Sequence, residues 1–447
     1  MAADRKDSPL TLVCILVTIL LDMVGYGIVL HVLPELIKEL TGGGVAEAAV
    51  FGGWLTFVYA SMQFLFSPVL GNLSDHFGRR PILLGSLLGL TFDNAMMGFA
   101  PVVWYLFIGR FISGVSGAAV ATATAYMADI TPPRKRTQRF GLIGAAFGLG
   151  FIIGPVIGGE LGAFGPKVPF YAAAVLAFAN FLFGLFVLPE SLGKDQRRPF
   201  DIRRANPFGA LLSLRKYPVV LWLMLALFLF SMAGQAFPSV FNYFTIAVWD
   251  FGSSQIGRAL GLFGICFALF QAFAVGPLVK RFGETPVVAV GMAGAAIAFL
   301  GIGMIHSQSW LYVYIVIGAV SGLAAPTITG LLSRQVPDNT QGELQGAINA
   351  ANSLATILGP LAATQIFAYF TFAPEGTPGY FPGAPFIGAA ALVIGGLGLF
   401  TFIALRFDLS HKPSVAEHPQ PKEMAAPGQF HVPNPKNMDP GGSTPPN

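Results

Sequence analysis

Gly71-Asn72-Leu73-Ser74-Asp75-His76-Phe77-Gly78-Arg79-Arg80-Pro81 is a short polar stretch between two long apolar ones. It returns as Gly276-Pro277-Leu278-Val279-Lys280-Arg281-Phe282-Gly283-Glu284-Thr285-Pro286, with Gly71, Leu73, Phe77, Gly78 and Pro81 all reappearing 205 residues further on. The same offset carries Val115-Ser116-Gly117 onto Val320-Ser321-Gly322, Gly141 onto Gly346, and Gly154-Pro155 onto Gly359-Pro360. One register kept at four separate places marks a duplicated unit about half the chain long.

The unit is built for lipid. The 447 residues are 54% hydrophobic and only 11% charged, against roughly a quarter charged in soluble domains. A helix needs roughly 20 apolar residues to cross a bilayer, and only helices or closed barrels satisfy the backbone there. Twelve stretches qualify: 10–32, 49–71, 81–99, 101–124, 139–160, 169–188, 218–245, 256–278, 285–305, 309–333, 343–371 and 381–406. The expected fold is therefore an all-α polytopic membrane protein of twelve transmembrane helices arranged as two six-helix pseudo-repeats. Its parts are a cytoplasmic N-terminus (1–9), an N-terminal bundle (10–189), a basic linker (190–217), a C-terminal bundle (218–406) and a disordered tail (407–447). The tail is rich in Pro, Gly and polar residues without periodicity. Residues 1–9 are too short and polar for a cleaved signal, so helix 1 is read as retained.

Lys and Arg set the orientation. They crowd the N-terminus, the loops after helices 2, 4, 6, 8 and 10, and the C-terminal end, whereas only Lys38, Lys167 and Arg258 fall on the other side. By the positive-inside rule both termini are cytoplasmic, and the chain is a multi-pass protein of the inner (cytoplasmic) cell membrane. The net charge of +4 thus reports topology, and nucleic acid is not an expected partner. Cys14 and Cys266 both lie in apolar stretches and suggest neither a disulfide nor a metal site. The histidines fall at expected helix ends, in loops or in the tail, and no nucleophile stands beside a base. Gly193-Lys194 is followed by Asp195, so no phosphate loop is present. No cofactor is called for, and the chain is not read as an enzyme.

Ionisable groups inside the membrane are costly and functional by default. Asp22 lies 12 residues past Leu10, about 18 Å at 1.5 Å per residue, and Asp93 is 12 residues past Pro81 on helix 3. Arg110, entering from the outer side on helix 4, reaches nearly the same level. Burial disfavours an ionised carboxyl while a neighbouring arginine favours it. One Asp paired with Arg110 and another able to take a proton make a proton-coupling set of Asp22, Asp93 and Arg110, with the pairing left open between the two acids. Helices 7 to 12 carry neutral polar groups instead. Candidate substrate contacts are Gln63 and Asn94 in the first half and Gln235, Asn242, Gln271, Asn349 and Asn352 in the second. Each amide could equally join neighbouring helices, worth about 0.6 to 2 kcal/mol. Gly150, Gly154, Pro155, Gly158 and Gly159 give helix 5 a face of small residues for close helix packing. Breaks in helices are expected near Gly25 to Gly27 and near Pro238.

The loop from Gly71 to Pro81 resembles the signature between helices 2 and 3 of the major facilitator superfamily. Gly109-Arg110 through Gly117 resembles its helix 4 motif, and Phe147 to Gly159 its antiporter motif. Leu21-Asp22 with Gly25 and Gly27, Met62 to Phe66, Ala128-Asp129-Ile130-Thr131, Leu188-Pro189-Glu190-Ser191, and Leu332 to Val336 followed by Gln341-Gly342 are similar to the tetracycline-efflux branch of drug-proton antiporters. That resemblance implies alternating access between two six-helix halves, with a cytoplasmic gate of Asp75, Arg79, Arg80 and Asp129. Where the branch carries an acid in helix 9 this chain has Ala295, and where it often carries a helix 8 histidine this chain has Phe267. Both departures strip polar groups from the second half and separate the transporter reading from tetracycline itself. The expected function is proton-coupled export of a small amphipathic compound or drug by a monomer, with protons and the lipid bilayer as partners. The alternatives are a facilitator or proton symporter importing a metabolite and, more remotely, a non-transporting receptor.

Overall fold

The expected helices form, and the repeat is visible in where they break. A computed structural model describes residues 9–117, 119–193, 195, 197–199, 217–305, 307–337 and 340–407. Residues 1–8, most of the expected linker and nearly all of the expected tail lie outside the described residues. The long helices are α1 (Pro9–Thr41), α2 (Val45–Phe77), α3 (Arg79–Gly98), α4 (Trp104–Asp129), α5 (Arg136–Gly162), α6 (Val168–Val187), α7 (Pro218–Trp249), α8 (Ser253–Phe282), α9 (Glu284–Met304), α10 (Gln308–Arg334), α11 (Gln341–Thr371) and α12 (Ala384–Arg406). Eleven are long and apolar enough to cross a membrane. The twelfth, α3, has 20 residues and is made more polar by Asp93 and Asn94, yet it packs against α4 and α6 inside the first half. Lipid offers no partner for a carboxylate, so this helix is held where its acid can meet a charge from α4.

Gly78 and Gly283 occupy the same place in the two copies. Each ends one helix and starts the next with a positive φ, 110° and 82°, a conformation that glycine adopts freely. Gly78 has a second constraint, because an added Cβ would run into the Glu190 carboxylate. The other breaks also repeat. α4 is interrupted after Ser116, and at the same offset α10 passes through a tight turn at Val320–Leu323. Pro155 and Pro360, again 205 apart, lie inside α5 and α11.

Of the two breaks expected from glycine and proline, one is absent. α1 runs unbroken through Gly25 and Gly27 and past residue 32, so that His31 lies within it. Gly27 serves packing instead, since a Cβ there would stand 2.8 Å from the Gly154 Cα. The other break is present at Gln235, between Pro218–Gly234 and Ala236–Trp249. Pro238 has no N–H and its ring crowds the carbonyl four residues back, at Gly234.

The halves meet on the face opposite the basic loops. α2 packs on α11 and α5 on α8, and Gly159 and Gly257 let backbones touch, each Cβ position lying 3.1 Å from the other's Cα. Ser253 donates to Glu35 (2.8 Å), Ser254 donates to Glu160 (3.1 Å), and Arg258 pairs with Glu160 at 2.8 Å. One apolar core runs through both halves, from Leu36 and Leu55 to Phe241, Val288 and Phe367. A second, built on Cys14, Ile19, Leu83, Tyr126 and Ile143, lies wholly in the first half.

Candidate functional site

α3 and α4 bring Asp93 and Arg110 into direct contact. The Arg110 Nη2 lies 2.5 Å from the Asp93 Oδ2 and also 3.1 Å from the Met97 sulfur. Asp93 is 1% exposed and Arg110 9%. A pair this dry is held by geometry, because two buried charges repay their desolvation only when aligned. Gly109 makes room for it, since a Cβ there would stand 2.6 Å from the Asp93 Oδ1. The second acid, Asp22, is half-buried on α1, one turn before Tyr26.

Tyr59 on α2 stands between these groups. The Arg110 guanidinium lies 5.6 Å from its ring centre, the Tyr26 ring lies 6.2 Å away, and its hydroxyl accepts from Gln63 Nε2 at 3.3 Å. The structure therefore joins two of the three charged residues expected from the sequence, Asp93 and Arg110, and adds Tyr59 and Tyr26, which sequence reasoning missed; Asp22 stands one turn from Tyr26. The signal available was spacing: Asp22 and Tyr26, like Tyr59 and Gln63, are four apart and share a helix face.

A cavity opens beside this cluster. Tyr26, Val29, Leu33, Thr56, Tyr59 and Arg110 line its first part, and Tyr26, Leu33 and Thr56 continue into a second part walled by Gln235, Ser239, Asn242, Tyr243 and Thr356. It thus spans both halves. Gln235 Nε2 reaches the Thr356 hydroxyl at 3.4 Å, tying α7 to α11 at the wall. Tyr243 closes the cavity toward the sealed face, where its hydroxyl lies over Gly52.

The remaining amides divide. Gln63 also donates to the carbonyl of Gly117, at the break in α4, at 3.3 Å. Asn94 is buried and turns its amide back to the Leu90 carbonyl at 2.8 Å, away from the cavity. Asn352 accepts from Ser231 at 2.9 Å on an exposed surface, a turn from Thr356. Asn349 and Gln271 are exposed and line neither part of the cavity, and Gln271 sits in an underwound π-helical segment, Phe270–Ala274, within α8. Phe267 packs against Gly322, and Ala295 is buried among apolar side chains.

On the basic face, Arg79 pairs with Asp75 (2.6 Å) and with Asp129 (3.2 Å), and Ser191 donates to Asp129 at 3.0 Å. Glu190, a residue outside the expected gate, accepts from the backbone N–H groups of Arg79 (2.8 Å) and Arg80 (3.3 Å) and so caps α3. Arg80 donates to the Leu185 carbonyl at 2.6 Å. This cluster is internal to the first half. In the second half Arg334 pairs with Glu284 at 2.9 Å. Those two residues stand 205 after Asp129 and Arg79, so the repeat keeps the pair and exchanges its charges.

The small-residue face of α5 serves two neighbours. Cβ atoms at Gly150, Gly154 and Gly158 would meet the α1 backbone at Leu20, Val24 and Ile28 within 3 Å, while one at Gly159 would lie 2.5 Å from the Ser253 carbonyl of α8. Pro155 lies on the same stretch, its ring 2.8 Å from a Cβ at Gly27.

Known proteins resemble this chain in sequence and in fold. The chain is 43% identical to the class C tetracycline resistance protein of Escherichia coli over 80% of its length and 89% of that protein's. Identity to the multidrug resistance protein 2 of Bacillus subtilis is 28%, over 87% and 93%. The human organic anion transporter MFSD10 (TETRAN) matches in structure with a TM-score of 0.63 at 25% identity, over 88% of this chain and all of that one. The nucleoside transporter NupG matches with a TM-score of 0.69 at 14% identity, over 90% and 100%, a likeness of fold alone. The family model of the Major Facilitator Superfamily matches residues 15–360 and 239–435. With its duplicated six-helix halves and its charged pair beside a shared cavity, the chain belongs to the Major Facilitator Superfamily, in the branch that holds the tetracycline resistance proteins.

Proposed function

We propose that this transporter is a proton-coupled exporter, taking a small amphipathic compound out of the cell while protons enter, from a cytoplasmic membrane in which both its termini face inward. The observation that carries the reading is the buried Asp93–Arg110 pair, whose arginine lines a cavity continuous with one shared by both halves, with Asp22 one turn from the cavity-lining Tyr26. Two acids and one guanidinium leave one negative charge that a proton or a cationic substrate group neutralises, and two ligands competing for one charge are exchanged rather than carried together. Among the described residues of α7 to α12, charged side chains stand at or near helix ends, so proton handling belongs to the first half and the amides and tyrosines of the second hold substrate. The halves are sealed opposite the basic face. With that face in the cytoplasm, we read the cavity as loading from inside.

The relatives named for tetracycline resistance make tetracyclines members of the test panel, but among the described residues the second half lines the cavity with no carboxylate, and we place other amphipathic drugs ahead of them. The test is uptake of that panel into inverted vesicles with an acidic interior, by wild type and by Asp93→Asn. Accumulation that needs the pH gradient and is lost in the variant supports the proposal. Counterflow indifferent to the gradient points instead to a facilitator.

A further inference from the structure

We infer that Tyr59 is a positioning residue of the coupling step, holding the Arg110 guanidinium on its ring face so that Arg110 can leave Asp93 for the side of Asp22 when Asp93 takes a proton. The inference rests on the proton-exchange reading above. Three observations, two on Arg110 of α4 and one on the neighbours of the Tyr59 ring, carry it. The guanidinium lies 5.6 Å from its centre while still bonded to Asp93 at 2.5 Å, so the cation touches both partners at once. The Arg110 Nε is buried without a hydrogen-bond partner among the described residues, so the guanidinium is incompletely held where it stands. The Tyr26 ring, one turn from Asp22 on α1, lies 6.2 Å from the Tyr59 ring, and the Gln63 amide donates to the Tyr59 hydroxyl at 3.3 Å.

The groups facing Asp93 are Arg110 and the Ser113 hydroxyl from α4, with the Tyr59 ring of α2 against Arg110 and the Tyr26 ring of α1, one turn from Asp22, against Tyr59. Moving a bare guanidinium across a dry cluster is costly. An aromatic face lowers that cost, because its quadrupole attracts the cation throughout the passage, and more strongly where water is excluded. Protonation of Asp93 forms one O–H bond at the carboxylate and breaks the ion pair. The positive charge left on Arg110 is then balanced by Asp22, and the net charge of the cluster rises by the one proton bound.

The experiment needs no transported ligand. Infrared difference spectra of the purified full chain in lipid nanodiscs follow the carboxylic acid C=O band against pH, with the Asp93 contribution identified as the band missing in Asp93→Asn. Removing the ring in Tyr59→Leu, or in Tyr59→Met should the first fold poorly, makes release of Arg110 less favourable. The band's midpoint then falls by about one pH unit, a tenfold loss of proton affinity. Tyr59→Phe keeps the face and stays near the wild-type midpoint. An unchanged or raised midpoint in folded Tyr59→Leu or Tyr59→Met overturns the inference while leaving proton exchange intact. The absence of any titrating band that Asp93→Asn removes overturns the exchange reading itself.

Discussion

At the scale of the residue, the decisive fact is that Asp93, rather than Asp22, holds Arg110. Counting along helices placed all three at one depth but left the choice open, because depth is a one-dimensional quantity and pairing depends on how α3 and α4 are rotated against each other. The tyrosines were less legible still. Tyr26 and Tyr59 stand in apolar runs where most aromatic residues face lipid, and only packing separates those from the two that face a charge. Arg110→Met strands Asp93 in a buried site, and losing one member of such a pair costs about 3 to 5 kcal/mol. The unfolding midpoint in detergent should drop strongly for Arg110→Met, and the double variant Arg110→Met/Asp93→Asn should regain much of the loss although it restores no charge.

Elements were easier to read than contacts. Hydropathy located the helices and the repeat paired them, and α3 was found from sequence because Asp93 and Asn94 interrupt an otherwise apolar run. Glycine proved ambiguous, since the residue that permits a break also permits close approach. In α1 the second use prevails. The same ambiguity separates the glycines of α5 into two kinds, those whose missing side chain is occupied by α1 or α8 and those, such as Gly148, that face open space. Gly154→Val forces a Cβ to within 2.8 Å of the Gly27 Cα and of the Val24 carbonyl, and overpacking of this kind typically costs 1 to 3 kcal/mol. Folded yield and transport should fall together in that variant, whereas Gly148→Ala should behave as wild type in both. Glu190 entered the sequence reading only within a resembling motif, and its capping of α3 was not legible there, because the acid is more than a hundred residues from the N–H groups it accepts from.

For the whole molecule, the seam between α5 and α8 is the part that must open if the cavity is to face the other side. Cysteines at Glu160 and Arg258, in a background where Cys14 and Cys266 are serine, replace an ion pair of 2.8 Å. A short bifunctional thiol reagent bridging them should stop flux, and a reducible version should restore it on reduction, as read by uptake into the same inverted vesicles. The exchange of Arg79 and Asp129 for Glu284 and Arg334 bears on the molecule's electrical symmetry. Two identical halves related by an axis along the membrane normal cancel their in-plane dipoles and add those along the normal. When the second copy also reverses its signs, the rule inverts, and these pairs reinforce one another across the membrane plane while cancelling along it. The duplication is thus even in shape and odd in charge at these positions, and the mouth between the halves acquires a polarity that no symmetric ancestor could have had.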